Sequence, residues 1–170
     1  MAIMALILIN LSACSQSRQH TVYNTSVDVP LDGWASTDTL FYHLTVSDSA
    51  TIKYPIGLHQ DYQLRVSIRY ASHFPLLSVP MLLTLQQTDT TGGYERPVRN
   101  LMRQQLQPMV RDTLGLPLGN TWGSLISMEE ATDLTVRFDT SGCYRILLTP
   151  QFGYQRSLPG IASIGLQLCR

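Results

Sequence analysis

Tyr62-Gln63-Leu64-Arg65-Val66-Ser67-Ile68-Arg69-Tyr70 alternates without a break. Tyr62, Leu64, Val66, Ile68 and Tyr70 fall on one side, and Gln63, Arg65, Ser67 and Arg69 on the other. A period of two with one apolar face marks a strand that is half buried and half wet. Leu40-Phe41-Tyr42-His43-Leu44-Thr45-Val46 repeats the pattern, with Leu40, Tyr42, Leu44 and Val46 inward and His43 outward. Working outward from these two, further strands are predicted at 21–29, 79–87, 134–138, 144–149 and 162–169. Turn chemistry separates them at Asp32-Gly33, Asp48-Ser49, 72–75, Thr91-Gly92-Gly93, 115–119, Ser141-Gly142 and Pro159-Gly160. The stretch 100–111, bracketed by Pro97 and Pro108, reads as a short helix or as a strand with Val98, Asn100 and Met102 on one side. Many short strands with no alternating helices predict an all-β fold: a single antiparallel β-sandwich, jelly-roll-like, over residues 21–170.

The chain has 170 residues, the size of one domain. Hydrophobic residues make up 44%, enough for a core, but charged residues only 14%, against ~25% in a typical domain. Lys+Arg and Asp+Glu are 12 each. No basic excess exists to neutralise a phosphate backbone, which argues against nucleic-acid binding. Lys53 is the only lysine.

The N-terminus begins with the apolar, uncharged run Met1-Ala2-Ile3-Met4-Ala5-Leu6-Ile7-Leu8-Ile9. It is shorter than the ~20 residues that span a bilayer and matches the apolar region of an export signal, although a basic segment before it is missing. Leu11-Ser12-Ala13-Cys14 resembles a bacterial lipobox, in which an aliphatic residue and two small ones precede the cysteine that is acylated. The small residues let a peptidase seat the backbone closely, and the cysteine sulfur accepts the acyl group. Residues 1–13 are therefore read as a signal peptide and 14–20 as a lipid-anchored tether. No acidic residue occurs between Ser15 and His20, which favours an outer-membrane anchor facing the periplasm over surface display.

Once Cys14 carries lipid, Cys143 and Cys169 remain. If the last two strands form a hairpin centred near Arg156, Tyr144 faces Leu168, Ile146 faces Leu166 and Leu148 faces Ile164. Cys143 then lies opposite Cys169, at cross-strand distance for a disulfide in an oxidising compartment. The bland alternative is two free thiols on strands that are not neighbours.

Catalytic chemistry is hard to find. His20, His43, His59 and His73 are scattered without metal-ligand spacing, so no metal or cofactor is expected. Glu129-Glu130 is the only carboxylate pair, and adjacent side chains diverge; it reads as a solvated turn. No nucleophile elbow or phosphate cradle is present. Trp34 and Trp122, each beside a glycine, are candidates for ligand contact, since tryptophans on sandwich loops can stack on sugars. The competing reading is that each plugs an end of the sandwich. Tyr54, Tyr70, His73 and Phe74 form a similarly ambiguous aromatic set.

Several segments, in order, resemble the gliding-motility lipoprotein family GldH. They are the lipobox at Cys14, Pro30-Leu31-Asp32-Gly33-Trp34, the strand from Tyr62 to Tyr70 running into His73-Phe74-Pro75, Arg111-Asp112-Thr113-Leu114 with Gly119-Asn120-Thr121-Trp122-Gly123, Ser141-Gly142-Cys143-Tyr144, and Leu158-Pro159-Gly160-Ile161-Ala162-Ser163-Ile164-Gly165. The resemblance implies a non-enzymatic accessory or assembly lipoprotein of the outer membrane, serving gliding motility and the linked type IX secretion machinery. Its partners would be the membrane, through the anchor, and other envelope proteins. It carries over one functional residue, Cys14. The alternative expectation is a carbohydrate-binding lipoprotein used in glycan capture through Trp34 or Trp122.

Overall fold

The computed structural model describes residues 20–30, 32–90, 94–153 and 157–170. Cys14, the signal and tether before His20, the Thr91-Gly92-Gly93 turn and Arg156 lie outside the described residues.

Eight principal strands form two facing sheets. They are β1 (Thr21–Asp28), β3 (Leu40–Ser47), β5 (Asp61–Ala71), β6 (Met81–Asp89), β7 (Arg96–Leu106), β9 (Leu125–Arg137), β10 (Gly142–Pro150) and β12 (Ile161–Cys169). Four short pieces accompany them: β2 (Trp34–Ala35), β4 (Ile56–Gly57), β8 (Asn120–Trp122) and β11 (Ser157–Leu158). One sheet runs β1-β12-β5-β9-β8 and the other β4-β3-β10-β6-β7, while β2 and β11 pair with each other. The principal strands thus divide first, eighth, third and sixth against second, seventh, fourth and fifth, which is the jelly-roll arrangement.

The alternation read from sequence is realised in full at the centre. Tyr62, Leu64, Val66, Ile68 and Tyr70 are buried on one face of β5, and Leu40, Tyr42, Leu44 and Val46 on one face of β3. Tyr42 spans the core, its hydroxyl donating to the Ile164 carbonyl of the opposite sheet at 2.7 Å. Phe138 packs edge-on to Tyr144 at 4.9 Å and lies 6.1 Å from Tyr62, tying both sheets together.

The expected hairpin of the last two strands does not form. β10 lies between β3 and β6, with Cys143 opposite Thr45 and Thr88. β12 lies between β1 and β5, with Cys169 opposite Thr21 and Gln63. Both cysteines are free thiols. The chain after Pro150 crosses to the other sheet, so Ile146 and Leu166 share one core without being paired neighbours. Inward alternation looks the same in either arrangement. Unfolded protein should therefore take up two alkyl adducts on Cys143 and Cys169 without reductant. Adducts that appear by mass only after reduction would contradict this topology.

One open reading is resolved and one expectation corrected. Of the two alternatives for the ambiguous segment, the strand forms, over Arg96–Leu106: β7 runs along the edge of its sheet, where Pro97 sits opposite Thr88 beside an irregularity in the ladder. A proline is tolerated there because an edge strand has backbone groups that need no ladder partner. Glu129-Glu130 is not a turn but the middle of β9, a strand far longer than the predicted 134–138. Glu129 pairs with Arg65 at 3.1 Å across the ladder, and Gln167 donates to its other carboxylate oxygen at 3.1 Å. The ladder between β5 and β9 slips where Gln63 faces Thr135 but Arg65 faces Ala131. Thr132 occupies the slip and donates its hydroxyl to the Leu64 carbonyl at 2.6 Å.

Candidate functional site opposite the N-terminus

The sandwich has two distinct ends. Thr21 pairs with Cys169, which in turn pairs with Gln63, so the described N-terminus lies at the Asp61 end of β5. Ala71 closes the other end, where its amide donates to the Gly160 carbonyl at 2.7 Å and the Ser72 amide to that of Ser124 at 3.0 Å. An 11-residue strand at ~3.4 Å per residue holds these ends about 35 Å apart.

At the far end the chain from 108 to 119 forms a braced loop. The guanidinium of Arg111 spreads over three carbonyls, with Nε on Phe74 at 2.9 Å, one terminal nitrogen on Gly115 at 2.7 Å and the other on Ser72 at 2.5 Å. Only a planar fork with several fixed donors can serve three acceptors at once. Asp112 folds the tip, its Oδ1 accepting the amides of Leu114 at 2.9 Å and Leu116 at 2.8 Å, as aspartate does in turns of this kind. The buried Tyr70 hydroxyl lies 2.5 Å from the Val110 carbonyl oxygen and 2.7 Å from that of Leu118, its one proton shared between them. Burial pushes the Tyr70 pKa up, opposed by the Arg111 charge and the bond to Leu118.

This bracing turns apolar side chains outward. Leu114 is 83% exposed and Trp122 73%, with Leu116, Leu77, Met109 and Leu118 also exposed at the same end. Gly119 makes the approach to β8 close: at φ +108° a Cβ there would run into the Ser127 carbonyl, so only glycine lets β8 lie against β9. Several exposed apolar side chains gathered toward one end of a folded domain make that end the candidate binding surface.

The two tryptophans part company. Trp34 is 0% exposed; it pairs with Leu158 in the small two-stranded piece and meets Phe152 edge-on at 5.7 Å. Its neighbour Gly33, at φ +108°, has a Cβ position only 2.7 Å from the Leu158 backbone, so the chain must be glycine to let Trp34 turn inward. Trp34 is a plug, and the ligand-contact expectation for it does not hold. Trp122 is free to touch a partner. The expected aromatic set also divides: Tyr70 and Phe74 stack edge-on in the core at 5.8 Å, while Tyr54 lies at the other end.

Outside this surface, little is built for chemistry. No cluster of three metal-ligating side chains occurs among the described residues. His43 lies on an outer face, 3.0 Å from Glu95, as expected of a surface histidine. A polar groove between Gln104, Gln105 and Gln107 on one side and Glu130, Thr132 and Asp133 on the other has no aromatic platform in its lining.

Across the sandwich, the family model described as GldH lipoprotein matches residues 21–168. The chain belongs to the GldH lipoprotein family. Comparison with curated proteins gives no match. The matched span runs from the first strand of the sandwich into the last. Family membership makes this a lipoprotein of the envelope associated with gliding motility.

Proposed function

We propose that the protein is a non-enzymatic component of the gliding-motility and type IX secretion machinery, acylated at Cys14, held at the outer membrane facing the periplasm, and docked to other envelope proteins through the Trp122 end. Supporting this reading is the exposed apolar surface on a loop stiffened by Arg111 and Tyr70, at the end of the molecule away from the N-terminus. Leu114, Leu116 and Leu118, exposed on the loop that leads into Trp122, favour a protein partner over a sugar.

The test is in-cell photocrosslinking with a reactive amino acid at Trp122 or Leu114, compared with one at Gln167 on the outer face of β12. Motility or secretion subunits captured from the first two positions and not the third are expected. Glycan-uptake proteins or polysaccharide recovered from Trp122 would instead establish glycan capture. Separately, Cys14→Ala should abolish acylation and membrane retention; an unchanged mass and unchanged retention would refute the anchor.

A further inference from the structure

At the anchor end, the connection between β3 and β4 ends in a tight turn of unusual composition. Thr51 donates its amide to the Tyr54 carbonyl at 2.8 Å, and the Tyr54 amide returns to the Thr51 hydroxyl at 3.0 Å. Ile52 and Lys53 therefore occupy the two central positions. Ile52 is fully exposed and Tyr54 partly so. The Lys53 ammonium lies 5.2 Å from the centre of the Tyr54 ring, and Lys53 is the only lysine in the chain. The base of the loop is fixed: Ile56 is buried, and the Tyr62 hydroxyl accepts the Gly57 amide at 2.8 Å.

This tip opens onto the same surface concavity as the described N-terminus. His20, Val22, Ala50, Ile52, Pro55 and Arg170 line it together. His20 lies six residue steps after Cys14, and a fully extended chain covers roughly 20 Å over that number of steps. An acylated Cys14 thus keeps this end of the sandwich within one tether length of the bilayer surface.

We propose that the Ile52-Lys53-Tyr54 tip is a second membrane contact, seated in the lipid headgroup region beside the anchor. The proposal rests on the reading of Cys14 as the acylated residue. An aliphatic side chain at the apex, an aromatic ring with a polar edge, and a cation on a long apolar stem are what the interface between water and acyl chains accommodates. Lys53 and Arg170 meet headgroup phosphates, while Asp48 lies at the base of the connection, before the apex. Two attachments fix what one leaves free: the sandwich stands upright, and the Trp122 surface is presented about 35 Å from the membrane.

The test places a tryptophan at Ile52 or Leu114 in the full-length acylated protein, in a Trp122→Phe background, with buried Trp34 contributing a constant signal. Each protein is reconstituted in phosphatidylethanolamine–phosphatidylglycerol vesicles with plain or brominated acyl chains. Ile52→Trp should emit further to the blue and lose fluorescence severalfold with brominated lipid, and Leu114→Trp should not change. A Tyr54→Trp reporter should be quenched, and adding Ile52→Asp should abolish that quenching while circular dichroism stays native. An unquenched Ile52→Trp on protein whose intact mass confirms acylation at Cys14 overturns the membrane contact and leaves the anchor standing. Quenching of Leu114→Trp in its place overturns the orientation. Absence of acyl mass on Cys14 overturns the anchor and this proposal together.

Discussion

Trp34→Ala is expected to destabilise the protein by about 3–5 kcal/mol, the usual cost of emptying a large aromatic from a core. Trp34 has no exposed surface, and Phe152 and Leu158 would lose the ring they pack on. One feature works against the full penalty. The indole nitrogen of Trp34 has no hydrogen-bond partner among the described residues, and an unsatisfied buried donor itself costs roughly 1–3 kcal/mol. Trp122→Ala, by contrast, should leave stability within about 0.5 kcal/mol of the parent, as for most surface changes, and weaken capture of envelope partners. Urea titration of the two variants is the direct measurement. Similar losses for both would place Trp122 in the core and remove the principal support for a docking surface there.

Arg111→Ala is expected to cost on the order of 3 kcal/mol, because three carbonyls lose a charged donor in one substitution. The loss should concentrate in one place: without the fork, its side-chain bonds to Ser72, Phe74 and Gly115 are gone, and the loop carrying Leu114 and Leu116 should become cleavable by protease while the sandwich survives. Arg111→Lys should recover little, since an ammonium cannot reach three divergent acceptors. Equal protease resistance in parent and variant would show that Asp112 and Tyr70 alone set the loop. Tyr70 adds an alkaline signature of its own. Its folded-state pKa is raised above the ordinary value of 10.0, so its contribution is fully present below that pH. It is lost as pH rises toward the folded value, and Tyr70→Phe should flatten that decline.

The strands legible in the sequence were those with one wet face and one dry face. β3 and β5 announced their burial residue by residue because water and core impose opposite chemistry on successive positions. The short pieces β2, β4, β8 and β11 carry two or three residues each, too few for any period to register. β7 was ambiguous because it is exposed along nearly its whole length; with no buried face, nothing selects a period of two over one of 3.6. In β9, Glu129 and Glu130 masked a strand whose charges are met by Arg65 and by the Met109 amide, partners distant in sequence. The error over Cys143 and Cys169 has a different origin. Alternation states which side chains point inward, but a sandwich offers two sheets that share one inside, and sequence order does not say which sheet receives the next strand. At the candidate site, Trp122 was singled out by its residue type and the glycine beside it. Arg111 and Tyr70, which brace its surroundings, act through backbone carbonyls, and carbonyls leave no trace in composition.

β1 is an edge strand bonded along its length to β12, from Thr21 opposite Cys169 to Asp28 opposite Ser163. His20 and Arg170 exchange backbone hydrogen bonds of 2.8 and 2.9 Å beyond its start. Bonds in such a ladder lie perpendicular to the strands. A tug between the tether at His20 and a partner gripping the Trp122 end acts along β1, so every rung of the ladder is sheared together and must fail at once. A tug between His20 and Arg170, which sit side by side, peels the same rungs one after another. Single-molecule pulling should therefore find a far higher rupture force along the first axis than the second. For a protein fastened at one end and loaded at the other, the strand order makes the working direction the strong one.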